Sequence, residues 1–230
     1  MRPYFNKFAV LPIPALLFLV LLGSCSHPSQ PSRDDFVLET AASRIAVVGF
    51  QQIFPEDLTS GAVESPLTGT AFSALKPPGN PERLLESGFL ERLAKIRPEL
   101  RVVEGERVAA VFRNISASSF KRPLRNALCE TGKELGADLV AAGYLYRYRE
   151  RKGESFSVEK PASVAFEIVL LRVDDGRVVW RGIFDCTQKS LLEDLFGLAR
   201  FLKGRGRWLK AEELLVEGIG QVMETFPEYR

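Results

Sequence analysis

Histidine is nearly missing from this sequence: His27 is the one imidazole among 230 residues. It sits in a polar stretch ahead of the first strand signal, which sets aside Ser-His-Asp and Cys-His chemistry, where an imidazole must touch the nucleophile. Cysteine is also scarce, with Cys25, Cys129 and Cys186 accounting for all of it. No His/Cys/Asp/Glu group has zinc-like spacing, so no metal is expected. No apolar run reaches the roughly 20 residues that a membrane-spanning helix requires. The chain also lacks an excess of basic charge. Once Arg2 and Lys7 leave with the N-terminal leader described below, 29 basic side chains face 29 acidic ones. That balance argues against a nucleic-acid partner.

What is present begins at the N-terminus. Arg2 and Lys7 form a positive segment, and no acid occurs before Asp34. The 15 residues Phe8 to Leu22 are apolar apart from Pro12 and Pro14, which is the length of a secretory leader's hydrophobic region. Leu22-Gly23-Ser24-Cys25 follows, and it resembles the lipobox of bacterial lipoproteins. The resemblance implies diacylglycerol on the Cys25 thiol and cleavage of the Ser24–Cys25 bond, for which small flanking side chains give a peptidase access. It also implies acylation of the freed amine. At about 0.8 kcal/mol per buried methylene, several acyl chains make a durable anchor. An ordinary leader with an accidental cysteine is the alternative. Ser26, where an Asp would retain many lipoproteins at the inner membrane, implies the outer membrane with the body in the periplasm. The expected organisation is therefore a signal peptide over 1–24, a lipidated tether over 25–43 and one α/β domain over 44–230.

With 46% hydrophobic and 26% charged residues the composition is ordinary for a globular domain. Ile45 to Phe50 reads as a buried first strand. Residues 51–81 carry many prolines and glycines and no periodicity. We expect a long excursion packing on a partner or neighbouring subunit, or a disordered insertion. Pro81 opens a helix to about Ile96, with Leu84, Leu85, Phe89, Leu93 and Ile96 as its apolar stripe. A short strand over 100–103 and a turn of helix over 107–112 follow. The next helix starts at Pro123 and stops at Gly136.

Leu139 to Arg149 is a strand in which Tyr144, Tyr146 and Tyr148 alternate with Leu145, Arg147 and Arg149. An aromatic row of this kind either binds a glycan or peptide or faces the core. Asp175-Gly176 between the apolar runs 164–173 and 178–184 is a strong hairpin signal. A capping box at Ser190 starts a greasy helix carrying Leu195, Phe196 and Phe201, followed by Lys203 to Trp208. It reads as an interfacial membrane segment or subunit contact, or else as a core helix closed by a glycine-rich turn. Its Gly-x-Gly lacks a phosphate loop's context, and no cofactor is expected. The last helix runs from about Lys210 to Thr225.

Arg44–Phe50, Gly136-Ala137-Asp138-Leu139-Val140 with Gly143, and Leu170–Val173 with Asp175-Gly176 and Val179-Trp180 together resemble a periplasmic lipoprotein superfamily. It includes the curli-secretion pore, penicillin-binding-protein activator and Pel polysaccharide-export lipoproteins. The resemblance covers roughly residues 44–186 and implies a mixed sheet of about five strands with helices packed on it. It also implies that Cys129 and Cys186 come close enough for a disulfide, which an oxidising compartment permits. Two buried thiols are the alternative.

The expected function is non-enzymatic: an assembly, secretion, export or regulatory accessory that binds envelope proteins and forms a homo-oligomer in its ring version. A peptidoglycan- or glycan-binding module is the alternative. An enzyme built on carboxylates such as Glu167 and Asp185 has no recognisable motif behind it.

Overall fold

In a computed structural model the chain is described over residues 44–56, 61–118, 122–153, 158–188 and 209–227. The elements are β1 (Arg44–Gln52), β2 (Ala62–Glu64), β3 (Ala71–Ser73), α1 (Glu82–Ile96), β4 (Arg101–Val102), α2 (Gly105–Ala117) and α3 (Leu124–Leu135). Then come β5 (Leu139–Arg149), β6 (Lys152–Gly153), β7 (Val158–Lys160), β8 (Ser163–Arg172), β9 (Val178–Thr187) and α4 (Ala211–Met223). Five strands form one mixed sheet in the order β4-β1-β5-β8-β9. β1 lies parallel to β4 and β5, while β8 runs antiparallel to its two neighbours, β5 and β9. This is the expected α/β architecture.

The sheet has two covered faces because its central strands are apolar on both sides. Leu139 to Tyr148 and Ser163 to Leu171 are buried without a break, so neither strand could leave a face in water. On one face α1 and α4 pack through Leu85, Phe89, Leu93, Leu214, Leu215, Ile219 and Val222. On the other, α2 and α3 contribute Val108, Leu128 and Leu135. The connections explain the split. From β1 the chain passes through α1 to β4 on one side, then back through α2 and α3 to β5 on the other. Right-handed crossovers in opposite directions put their helices on opposite faces.

Local signals account for most element ends. α3 stops at Gly136, whose φ of 60° lies in the left-handed region and lets Ala137 N–H reach the Gly132 carbonyl at 2.9 Å. Gly176 (φ 69°) makes the β8–β9 turn. There Asp175 accepts from the Arg172 guanidinium and from Arg177 N–H, and these bonds, Arg172 first, hold its carboxyl well below the usual range. The turn keeps this support above the ordinary carboxylate pKa and loses it as pH falls through the depressed one.

The structure departs from expectation at four places. α2 is 13 residues long rather than one turn, because Val108, Val111, Phe112 and Ile115 extend its inner stripe past the short apolar run. Leu84 is 43% exposed and leaves the α1 stripe. Residues 61–75 are not structureless. They form the β2–β3 hairpin and pack on this chain's own sheet through Leu67, Phe72 and Ala74. Finally, a bulge in β5 between Leu145 and Arg147 interrupts the tyrosine alternation. Tyr144 and Tyr146 point to the hairpin face and Tyr148 to the other.

Gly143 on β5 is required by packing: a Cβ built there would lie 2.3 Å from Phe50 Cδ2. Gly143→Ala should therefore destabilise the domain by about 1–3 kcal/mol, read as a lower urea midpoint at unchanged slope.

Candidate functional site

Glu167 sits at 0% exposure in the middle of β8. A charge there survives only if it is paired, and its neighbours supply the partners. Thr68 Oγ1 donates to Oε1 at 2.9 Å, Tyr146 OH donates to Oε2 at 3.0 Å, and Arg181 Nε of β9 completes the set. Arg181 also reaches Thr70 Oγ1. One strand pair further along, Arg147 donates to Ser163 Oγ (2.6 Å), to the Ser73 carbonyl (2.6 Å) and to Asp185. Arg125 of α3 donates to the Leu67 carbonyl at 3.1 Å. The sheet thus holds the β2–β3 hairpin by a polar seam, with the Phe72 ring stacked on Tyr146 at 4.0 Å as its apolar anchor. Burial, and then the Glu167 charge, push the Tyr144 and Tyr146 hydroxyls far above the ordinary tyrosine range.

All three tyrosines are buried, Tyr146 completely, so the row is core-facing and offers no platform to a glycan. Glu167 and Asp185 are each engaged by an arginine and so hold the seam together. No group of three metal-capable side chains occurs among the described residues.

A second feature lies at the C-terminal end of β1. An open cleft of about 550 Å³ is lined by Phe50, Gln52, Phe54, Lys76, Asn80 and Glu82, among others. Gln52 Nε2 bonds the Gly79 carbonyl (2.9 Å) and Glu82, fixing the 77–81 segment against the strand. Lys76 Nζ stands 5.2 Å from the centre of the Phe54 ring. In α/β sheets ligands collect beyond the carboxyl ends of the strands, and the cleft lies beyond that end of β1. Sequence reading missed the cleft because its walls come from the proline-rich stretch that has no periodicity.

The structure does not join the two cysteines. Cys129 is half-buried on α3, beside Gly176 at the β8–β9 turn, and Cys186 lies at the far end of β9 in the core under α1 and α4. Arg125 of α3 bonds the Gly176 carbonyl at 2.8 Å, so α3 begins over the start of β9 rather than its end. The eight steps from Val178 to Cys186 span about 26 Å of strand, far beyond the roughly 7 Å between Cα atoms that a disulfide tolerates. Burial pushes the Cys129 thiol pKa upward. Ser24 and Cys25 lie outside the described residues, as do Leu195, Phe196, Phe201 and Trp208. No helix among the described residues is long and apolar enough to cross a membrane.

No family model matches the chain, and no curated protein matches it either. Among solved structures it is similar to the PelC dodecamer from Paraburkholderia phytofirmans, at 14% identity, over 84% of this chain and 93% of that one, with a TM-score of 0.47. It is also similar to the lipoprotein GNA1162 from Neisseria meningitidis (13% identity, 71% and 96% covered, TM-score 0.38). The LpoB C-terminal domain from Escherichia coli is similar too (12%, 64% and 84%, TM-score 0.37). None of the three is similar enough to carry a role to this chain.

Glu167→Gln should cost about 2–4 kcal/mol, because it leaves the Arg181 guanidinium in the seam without its counter-charge. Adding Arg181→Met should recover part of that loss. Thermal unfolding of the two variants checks both.

Proposed function

We propose that this chain is a lipid-anchored envelope adaptor, tethered through Cys25 to the periplasmic leaflet of the outer membrane and acting by binding envelope proteins rather than by catalysis. The polarity of β1 carries this reading. The strand starts at Arg44, where the segment from Cys25 to Ser43 joins, and its other end opens into the cleft. The nine residues of β1 separate those poles by about 26 Å. The cleft thus lies at the pole opposite the point where the Cys25–Ser43 segment joins, and that segment allows at most about 65 Å of reach. The mixed lining (Phe50 and Phe54, with Lys76, Asn80 and Glu82) suits a peptide segment of a partner protein. Ser26, in place of Asp, supports the outer-membrane destination.

Two measurements test it. Palmitate should label the full-length chain in cells and be lost on Cys25→Ala, with the protein leaving the outer-membrane fraction. A photo-crosslinking residue at Lys76 should capture an envelope protein that the same residue at Lys133, near the tether pole, does not. Absence of label, or equal capture at both poles, counts against the adaptor.

A further inference from the structure

The two edges of the sheet are finished differently. At one, β4 has two residues, follows Pro98 and offers almost no template for another strand. At the other, β9 has ten residues, contains no proline or lysine and has no further strand beside it among the described residues. Edges that must stay alone are shortened or carry charged side chains, Pro or a bulge. Between Trp180 and Thr187 β9 has no proline or bulge, its register shift falling earlier, opposite Leu170 and Leu171, and its two charges there, Arg181 and Asp185, are of opposite sign and already held by Glu167 and Arg147.

The register fixes which backbone groups face outward. Gln188 N–H donates to the Ala162 carbonyl at 3.1 Å, so that pair is hydrogen-bonded. Hydrogen-bonded and non-bonded pairs alternate along an antiparallel ladder. Val164↔Cys186, Phe166↔Phe184 and Ile168↔Gly182 are therefore the bonded pairs. The N–H and C=O groups of Arg181, Ile183, Asp185 and Thr187 point away from β8. These residues share the hairpin face, where Arg181 meets Glu167 and Asp185 meets Arg147.

We propose that this edge pairs with β9 of a second copy of the chain, antiparallel about a two-fold axis at Ile183. In that register Ile183 faces Ile183 of the second copy, and Arg181 faces Asp185 in both directions. Every outward N–H then meets an outward carbonyl, and the cross-strand pairs carry opposite charges. A shift of the centre to Gly182, Phe184 or Asp185 keeps the backbone match but separates Arg181 from Asp185, so charge selects the Ile183 register. The result is one continuous sheet in which the alternating charges of the seam run across the axis. The other face accommodates it as well. α4 rests over β8 and β9, about one strand spacing from the axis, so the two copies of α4 lie about 9–10 Å apart at a strand spacing near 4.8 Å. That is an ordinary helix-packing distance.

The test uses the full-length chain in detergent micelles with Cys129→Ala and Cys186→Ala. Adding Ile183→Cys should give a reducible dimer on mild oxidation, since Cα atoms of a bonded antiparallel pair lie about 5.5 Å apart, within disulfide range. The same background without Ile183→Cys, or with Arg113→Cys on α2, should give none. By sedimentation, Ile183→Pro should weaken the dimer about tenfold or more. It removes an outward N–H and leaves the β8 ladder intact, whereas Ile183→Ala, which also loses the packing of Ile183 on the hairpin-face core but keeps the N–H, should still dimerise. Three results overturn the proposal: a monomer at about 100 µM with no crosslink, a dimer that Ile183→Pro leaves unchanged, or an Ile183→Cys crosslink to a different protein.

Discussion

β5 and β8 are apolar along nearly their whole length on both faces, and the rest of the molecule is arranged around covering them. On one face two helices suffice. On the other, α2 and α3 cover part of the area, and the β2–β3 hairpin brings Leu67, Phe72 and Ala74 to the rest. The hairpin strands have three residues each, too short to hold themselves together in water. They depend on the sheet as much as the sheet depends on them.

Glu167 ties the two together. A carboxylate at zero exposure on a central strand is a liability unless its oxygens are satisfied, and three different parts of the fold satisfy it: Thr68 in the hairpin, Tyr146 on β5 and Arg181 on β9. Such a network contributes less net stability than its contacts suggest, because each charge had to leave water. It does fix where the hairpin docks, since a shift by one residue would strand a charged group. The bulge in β5 belongs to the same arrangement: it turns Tyr146 and Arg147 toward the hairpin side while Leu145 and Tyr148 remain in the opposite core.

Position gives the domain a direction. The start of β1, the β8–β9 turn and the ends of α1 and α3 gather at one pole, and the cleft beyond β1 lies at the other. An adaptor held by a lipid would meet its partners with the second pole. The long unblunted edge of β9 runs between the poles, so self-association there would leave both ends available.

Much of this was legible in the sequence. Pro81, Pro123 and Gly136 marked helix ends, Asp175-Gly176 marked the hairpin, and continuous apolar runs marked the central strands, because each of these acts through its own backbone or through local burial. Leu22-Gly23-Ser24-Cys25 resembles a lipobox through local sequence alone, and its lipidation stands as a proposal. What tertiary structure alone decided concerns residues distant in sequence. The hairpin within 51–81 has no periodicity because its short strands are stabilised by a sheet about a hundred residues further on. The tyrosine row could bind a ligand or face the core by its pattern alone; burial of all three rings, with Phe72 stacked on Tyr146, decided for the core. Cys129 and Cys186 looked pairable until the sense of β9 relative to α3 placed them at opposite ends and on opposite faces. Local propensity determines where elements begin and end; only the packing of one element on another determines which side chains meet.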